Sequence, residues 1–135
     1  DMDVSALGYA PGINPDLKDD ENIFKTDEKM LELALTAAKR AELSIKIFTG
    51  RVVSGDQFIS SKDKKKSLVE TFDGTCAEME GASIGHVASL NKIPYLVVRA
   101  ISDKADDSAE MDYPSFAAMA IDNSVALMTE FVKLC

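Results

Sequence analysis

The chain has 135 residues, a formal net charge of −8, 46% hydrophobic residues and 28% charged residues. This length suits one globular domain rather than two, and the composition is typical of a soluble protein. The acidic charge argues against nucleic acid or an anionic membrane surface as the main partner, and no stretch approaches the roughly 18 apolar residues of a membrane span.

The N-terminal part of the chain predicts a strand end, a loop and a helix. Val4 to Leu7 is predicted to be the strand end, and glycines and prolines then indicate a long loop to about residue 24. Thr26 is the predicted N-cap of a helix that runs to about Leu43. The apolar positions at helical spacing are Leu31, Ala34, Leu35, Ala38 and Ala41. The chain begins mid-pattern without a methionine, so we expect it to be part of a longer protein.

The middle of the chain predicts two strands around a short helix. Ile45 to Val53 is rich in β-branched residues and predicts a strand. Residues 62–66 hold four lysines ahead of a short helix that ends near Phe72, and we interpret them as a solvated face rather than an anion site. After a turn at Asp73-Gly74, Cys76-Ala77 allows only a short strand.

The C-terminal part predicts a helix, a strand and a helix. Small residues from Met79 to Leu90 predict a helix that packs closely on a sheet, and the apolar run Tyr95 to Ile101 is typical of a strand covered on both faces. The last helix is predicted to begin at Asp112 or Tyr113, with Pro114 in its first turn. Its inward face is predicted to hold Phe116, Ala120, Asn123, Leu127, Phe131 and Leu134. Alternating strands and helices predict the α/β class.

Metal and redox chemistry find little support in the sequence. Cys76 and Cys135 leave a disulfide open but form no framework, and with His86 alone the usual zinc constellations are absent. No carboxylate cluster has the spacing for magnesium. The acidic start lacks the basic and apolar regions of a signal peptide. With two unrelated cysteines, a reducing cytoplasm is the expected location, and no metal or cofactor is expected. His86 is expected to be structural.

Two segments place carboxylates where strands are predicted to end, which is where α/β proteins usually bind small ligands. Glu78 and Glu80 could both favour the dipole of the following helix. However, carboxylates at i and i+2 point in different directions, so a site role for Glu80 stands beside the structural one. Asp103 could be a turn residue, but at the mouth of an apolar sheet its pKa can be raised, which would suit a general acid.

Two other segments supply candidate site residues besides these carboxylates. Arg99 lies inside an apolar run, so a structural ion pair with Glu78 or with a residue outside this chain is one expectation. Phe58 could stack on a flat ring while the Ile59 backbone bonds to the edge of that ring, or the loop could anchor the core. No phosphate-binding loop, dinucleotide fingerprint or catalytic triad order is present.

Together these residues resemble the 5′-methylthioadenosine/S-adenosylhomocysteine nucleosidases of the nucleoside phosphorylase superfamily. The resemblance runs almost end to end, and its Arg-Ala-Ile-Ser-Asp-x-Ala-Asp piece is more specific to the nucleosidases than its Glu-Met-Glu piece. The matching segments are Asp3-Val4-Ser5-Ala6-Leu7-Gly8-Tyr9, Val52-Val53-Ser54-Gly55-Asp56-Gln57-Phe58-Ile59, Glu78-Met79-Glu80-Gly81-Ala82 and Val97-Val98-Arg99-Ala100-Ile101-Ser102-Asp103-Lys104-Ala105-Asp106.

The resemblance implies hydrolysis of the N-glycosidic bond, with release of adenine and the thioribose product in methionine salvage. It implies that Asp103 protonates N7 of adenine and that Ser102 orients Asp103. Phe58 would stack on the base, and Ile59 would contact the edge of the base through its backbone. Tyr113 would lie over the 5′-alkylthio pocket.

For the sugar side, the resemblance implies that Glu80 holds the ribose hydroxyls, Met79 packs against the sugar, and Arg99 with Glu78 places the attacking water. A homodimer is expected, and Leu7 stands where many members carry a phenylalanine that reaches the neighbouring subunit's pocket.

The implied fold is a three-layer α/β/α arrangement around a mixed sheet, of which residues 1–135 would be the C-terminal portion. An absent N-terminal half would supply the water-activating glutamate, so these residues alone are expected to be inactive unless a second polypeptide provides it. A purine nucleoside phosphorylase and a non-catalytic adenine-nucleoside-binding protein are the alternatives. The sequence does not rank methylthioadenosine, S-adenosylhomocysteine and 5′-deoxyadenosine as substrates.

Overall fold

The structure is a computed structural model that describes residues 4–17, 22–102 and 113–135. Helices and parallel strands alternate in it, which confirms the predicted α/β class. The elements in chain order are a 3-10 turn at Ser5–Leu7, α1 at Glu28–Arg40, β1 at Arg51–Ser54, α2 at Lys62–Phe72, β2 at Gly74–Glu78, α3 at Gly81–Leu90 and α4 at Tyr113–Leu134.

The unit β1–α2–β2 brings two strand ends together. β1 and β2 pair in parallel, and the register places Val52 opposite Cys76 and Ser54 opposite Glu78. Parallel strands need a crossover connection, which α2 supplies here. Because both strands run in the same direction, their carboxyl ends meet at one edge, and two polar side chains lie next to each other there.

The sequence of α2 explains where this crossover helix begins and ends. Ser61 is its N-cap and accepts a hydrogen bond from the Lys64 N–H at 3.1 Å, while Asp73 ends it in the left-handed region at φ 53°. The lysines at 62–66 lie inside the first turns of α2 rather than ahead of it, and they are exposed. Their interpretation as a solvated face therefore agrees with the structure.

The core lies between α1 and α4. Ala37 is fully buried, and Leu127 and Phe131 are each 8% exposed. The predicted inward face of α4 is confirmed, since every member is buried or half-buried. The predicted stripe of α1 is only partly right: Ala34 and Ala38 contact this core, but the stripe omits Ala37 itself. The other partly buried residues packed against the core are Met30, Leu33, Leu43, Leu96 and Leu134.

Four predicted element ends were wrong. Val4 to Leu7 contains a 3-10 turn instead of a strand end. The N-cap of α1 is Asp27 and not Thr26, because the Asp27 carboxylate accepts the Met30 N–H at 2.8 Å, and α1 ends at Arg40. α3 begins at Gly81, two residues after the predicted start.

Two predicted strands were also wrong, wholly or in part. In place of the strand predicted from Ile45 to Val53 there is only the short strand Arg51–Ser54, and Tyr95 to Ile101 forms none. A strand requires a neighbouring strand for its hydrogen bonds, and among the described residues only β1 and β2 pair. The run is not covered on both faces either, since Val98 and Ile101 are exposed. Its Tyr95 carbonyl instead accepts the Asp27 N–H at the start of α1.

Within the described part of the chain, no helix is long and apolar enough to cross a membrane.

Phe131→Ala is expected to lower the free energy of unfolding by about 3 kcal/mol, because it leaves a cavity in the α1–α4 core. Val132→Ala is the matched control, since the neighbouring Val132 is 67% exposed and should change stability by no more than about 0.5 kcal/mol. Urea unfolding followed by circular dichroism measures both. Equal losses in the two variants would contradict the assignment of the core.

Candidate active site at the β1, β2 and α3 junction

The carboxylate of Glu78, the last residue of β2, is the centre of a hydrogen-bonded cluster. It accepts the Ser54 hydroxyl at Oε1 and the Glu80 N–H at Oε2, the latter at 3.0 Å. The Gly81 N–H reaches both carboxylate oxygens, at 2.9 and 2.7 Å. Glu78, at the end of β2, therefore binds both Ser54 at the end of β1 and the first residue of α3.

Ser54 holds the same junction from the other strand. Its Oγ accepts a hydrogen bond from the Ala82 N–H at 2.7 Å and donates one to the Glu78 carboxylate. The Gly55 N–H adds a backbone bond to the Glu78 carbonyl at 3.1 Å. Amides at a helix N-terminus have no partner inside the helix, and together they carry a partial positive charge. Ser54 and Glu78 satisfy those of Glu80, Gly81 and Ala82.

The Glu78 carboxyl has a lowered pKa. Partial burial acts to raise the pKa, but the hydrogen bonds from Ser54, Glu80 and Gly81 and the positive charge of Arg99 outweigh that effect. Glu78 is therefore ionised at neutral pH. It can hold amides, a cation or a polarised water, but it is poorly suited to donate a proton.

Glu80 points away from this cluster. It is the N-cap of α3, yet its side chain makes no capping bond. Its Oε2 lies 3.4 Å from Nη1 of Arg99, with both side chains about half exposed. The predicted ion pair of Arg99 thus exists, but its partner is Glu80 and not Glu78. The expectation that the two glutamates diverge is confirmed, since Glu78 faces the backbone and Glu80 faces Arg99.

The remaining predicted site residues differ in how exposed they are. Phe58, in the loop after β1, is 78% exposed, so it does not anchor the core and its ring is open to a partner. Ile59 is half-buried, Met79 is 50% exposed and Leu7 is 75% exposed. Ser102 is half-buried.

Two predicted site residues are not placed by the structure. Asp103 lies outside the described residues, and so does the side chain of Tyr113, whose backbone begins α4.

Sequence reasoning missed Ser54 and Gly81 as parts of the junction. A Cβ built on Gly81 would lie 2.9 Å from Oε1 of Glu78, so the carboxylate occupies space that only glycine leaves open. The available signal was a short polar residue at the end of one predicted strand and a Glu-x-x-Gly pattern after the next. Neither pattern reveals the parallel register that makes Ser54 and Glu78 neighbours.

Two other side chains that could carry chemistry are His86 and Cys76. The His86 ring stacks on Phe24 with centroids 5.0 Å apart, which agrees with the structural role expected for it. Burial raises the pKa of the Cys76 thiol, the Glu78 charge adds to this rise, and Arg99 opposes it, so the thiol stays protonated. Within the described ranges, no three His, Cys, Asp or Glu side chains gather into a possible metal site.

Comparison with known proteins identifies the family. The sequence profile described as "Phosphorylase superfamily" matches residues 1–133. The chain belongs to the phosphorylase superfamily. This result confirms the resemblance drawn from the motifs, which run through the same span.

Relatives and solved structures that match the chain include proteins named as nucleosidases. Aminodeoxyfutalosine nucleosidase of Campylobacter jejuni is 40% identical over 136 residues, covering 100% of this chain and 56% of that protein. 5′-Methylthioadenosine/S-adenosylhomocysteine nucleosidase of Haemophilus influenzae is 36% identical over 133 residues, covering 98% and 56%. The Neisseria meningitidis nucleosidase in complex with methylthio-immucillin-A superposes with a TM-score of 0.83 at 33% identity, covering 100% of this chain and 57% of that one. The chain thus spans about half the length of the curated relatives it matches, and it has their fold.

Gly81→Ala is expected to lower the free energy of unfolding by about 1 kcal/mol. The new methyl group displaces the Glu78 carboxylate, and that loss exceeds the gain of up to about 1 kcal/mol that alanine normally brings to a helix. Gly55→Ala is the control, because a Cβ there meets nothing within 4 Å. Chemical denaturation compares the two variants, and a more stable Gly81→Ala protein would contradict the role given to Glu78.

Stability is expected to fall in acid partly through Glu78. A carboxyl whose pKa is lower in the folded state stabilises the fold fully above its unfolded-state pKa. That contribution is lost as the pH falls through the folded-state pKa. Glu78→Gln should therefore flatten the acid side of the stability curve, whereas Glu32→Gln, at an exposed position of α1, should not. Urea unfolding at a series of acid pH values tests this, and parallel curves for wild type and Glu78→Gln would refute it.

Proposed function

We propose that this chain is part of a nucleosidase that hydrolyses the N-glycosidic bond of 5′-methylthioadenosine and S-adenosylhomocysteine. The observation that carries the proposal is the divergent glutamate pair: Glu78 is bound to the backbone at the start of α3, and Glu80 extends beside Arg99. Relatives named for nucleosidase activity at 36–40% identity support the reaction class. Release of adenine in methionine salvage by a cytoplasmic homodimer belongs to the same proposal.

The sugar side of the proposed site rests on Glu80 and Arg99. A carboxylate accepts two hydrogen bonds from a pair of ribose hydroxyls, and the half-exposed Glu80 can do so because α3 does not use its side chain and its ion pair with Arg99 is open to solvent. Arg99, whose charge also acts on Glu78, would orient the attacking water. Met79, half exposed between the two glutamates, would pack against the sugar.

The base side of the proposed site rests on the loop after β1 and on the segment from Ser102. The exposed Phe58 ring would stack on adenine, while the Ile59 backbone would bond to the edge of the base. Asp103, oriented by Ser102, would protonate N7, and Tyr113 would cover the 5′ substituent; these roles follow from the motif. Protonation lets adenine leave as a neutral base while the ribosyl centre becomes cationic, and nearby carboxylates stabilise that charge.

Residues 1–135 are proposed to be the C-terminal portion of one nucleosidase domain, with the water-activating glutamate on a portion outside them. This proposal agrees with the coverage of 56% of the relatives' length. Activity would then require that portion, in the same polypeptide or as a second chain. The 75% exposed Leu7 would lie toward the neighbouring subunit.

The substrate is tested with the protein at its full encoded length. Adenine release is measured from 5′-methylthioadenosine, S-adenosylhomocysteine and 5′-deoxyadenosine, and also from aminodeoxyfutalosine because the 40% identical relative is named for it. We expect turnover of the first two without phosphate. Turnover that requires phosphate would indicate a phosphorylase, and binding without turnover would indicate a non-catalytic relative; either outcome overturns the proposal.

Asp103→Asn is expected to lower kcat by roughly 10²–10⁴-fold while nucleoside affinity is largely kept, because the variant cannot protonate the leaving base. Asp122→Asn, at an exposed position of α4, is the control and should retain wild-type turnover. Steady-state kinetics and equilibrium binding of both variants provide the test. An unchanged kcat in Asp103→Asn would remove Asp103 from the mechanism.

A further inference from the structure

Hydrogen bonds fix the backbone of Glu80, the residue whose carboxylate is proposed to bind ribose. Glu80 has φ −124° and ψ −29°, and its side chain makes no bond to α3. Its N–H donates to Glu78 at 3.0 Å, and its carbonyl accepts the Ser83 hydroxyl at 2.7 Å. These bonds fix the stretch of backbone from which the Glu80 side chain extends toward Arg99.

Ser54 is the group that ties this turn to the sheet. It lies at the end of β1, 28 residues before Ala82. Its Oγ accepts a hydrogen bond from the Ala82 N–H at 2.7 Å and donates one to the Glu78 carboxylate. The Glu78 carboxylate in turn accepts hydrogen bonds from the backbone N–H groups of Glu80 and Gly81. One hydroxyl thus fixes both the carboxylate and the next amide of the turn.

A serine hydroxyl meets both needs because it can donate and accept at the same time. An alanine would leave the Ala82 N–H without that acceptor and would remove one donor from Glu78. Hydrogen bonds to charged groups are stronger than neutral ones, so the bond to Glu78 is the larger of the two losses. The turn would remain helical but would no longer be held to β1 by this side chain.

We propose that Ser54 is a positioning residue that sets the Glu80 carboxylate toward the ribose hydroxyls by clamping the Glu78–Ala82 turn to the end of β1. This inference rests on the proposed function. Ser54 does not itself touch the nucleoside in this arrangement. Its effect is expected on ligands that carry the hydroxyls, because both of its side-chain hydrogen bonds, to Glu78 and Ala82, go to the turn that carries Glu80.

The test compares ligands with and without those hydroxyls on the protein at its full encoded length. Ser54→Ala is expected to lower kcat/KM for 5′-methylthioadenosine by about tenfold to a hundredfold, the size of one lost charge-assisted hydrogen bond. Its affinity for adenosine, measured as competitive inhibition, should fall similarly. Its affinities for 2′,3′-dideoxyadenosine and for adenine should equal those of the wild type. Ser89→Ala, an exposed serine near the other end of α3, is the control and should change none of these values.

Each outcome decides between positioning and a general structural role. A loss of affinity that is equal for adenosine and the dideoxy analogue would overturn the inference, because it would mean that the whole site is loosened. No loss in Ser54→Ala would overturn it as well. The wild-type arm is separate: if the wild type neither binds nor hydrolyses the nucleoside, the proposed function fails and this inference fails with it. Wild-type turnover with ligand-independent losses in Ser54→Ala overturns the inference alone.

Discussion

The Glu78 carboxylate on the N-terminal amides of α3 is the interaction on which the arrangement of the site depends. It accepts hydrogen bonds from two backbone N–H groups that a helix leaves open and from the Ser54 hydroxyl on the neighbouring strand. The Glu78 carboxylate is stabilised there by these hydrogen bonds and also by the partial positive charge at the N-terminus of α3. Since both of its oxygens are occupied, the second glutamate of the motif is left for other chemistry.

The ion pair of Glu80 with Arg99 contrasts with the hydrogen-bonded cluster around Glu78. A half-exposed ion pair contributes little to stability, because solvent screens it and two long side chains must be ordered to form it. A ligand that takes one member therefore displaces a weak interaction rather than a structural one. Glu78 therefore has a structural role. The Glu80 carboxylate and the Arg99 guanidinium are held more weakly and lie where a polar ligand can reach them.

The sequence predicted those parts of the molecule that depend on local pattern. The inward face of α4 and the divergence of Glu78 and Glu80 follow from residue spacing, and both were right. The strands were less predictable, because a strand is defined by its partner: Tyr95 to Ile101 has strand composition but pairs with no described neighbour. Ser54 was missed for a related reason, since its partner is 24 residues away and is brought opposite it only by the parallel register. Asp103 and the Tyr113 side chain stay predictions, because they lie outside the described residues.

The parallel pairing of β1 with β2 also bears on how the site assembles. A hairpin can close a few residues at a time, but this ladder requires the whole α2 crossover to be traversed before Ser54 can meet Glu78. The chain loses the entropy of closing that loop before any contact at the junction offsets it. Such non-local contacts slow folding relative to helix formation. We therefore expect the turn that carries Glu80 to form late in folding, because the start of α3 is held to β1 only after the two strands have aligned.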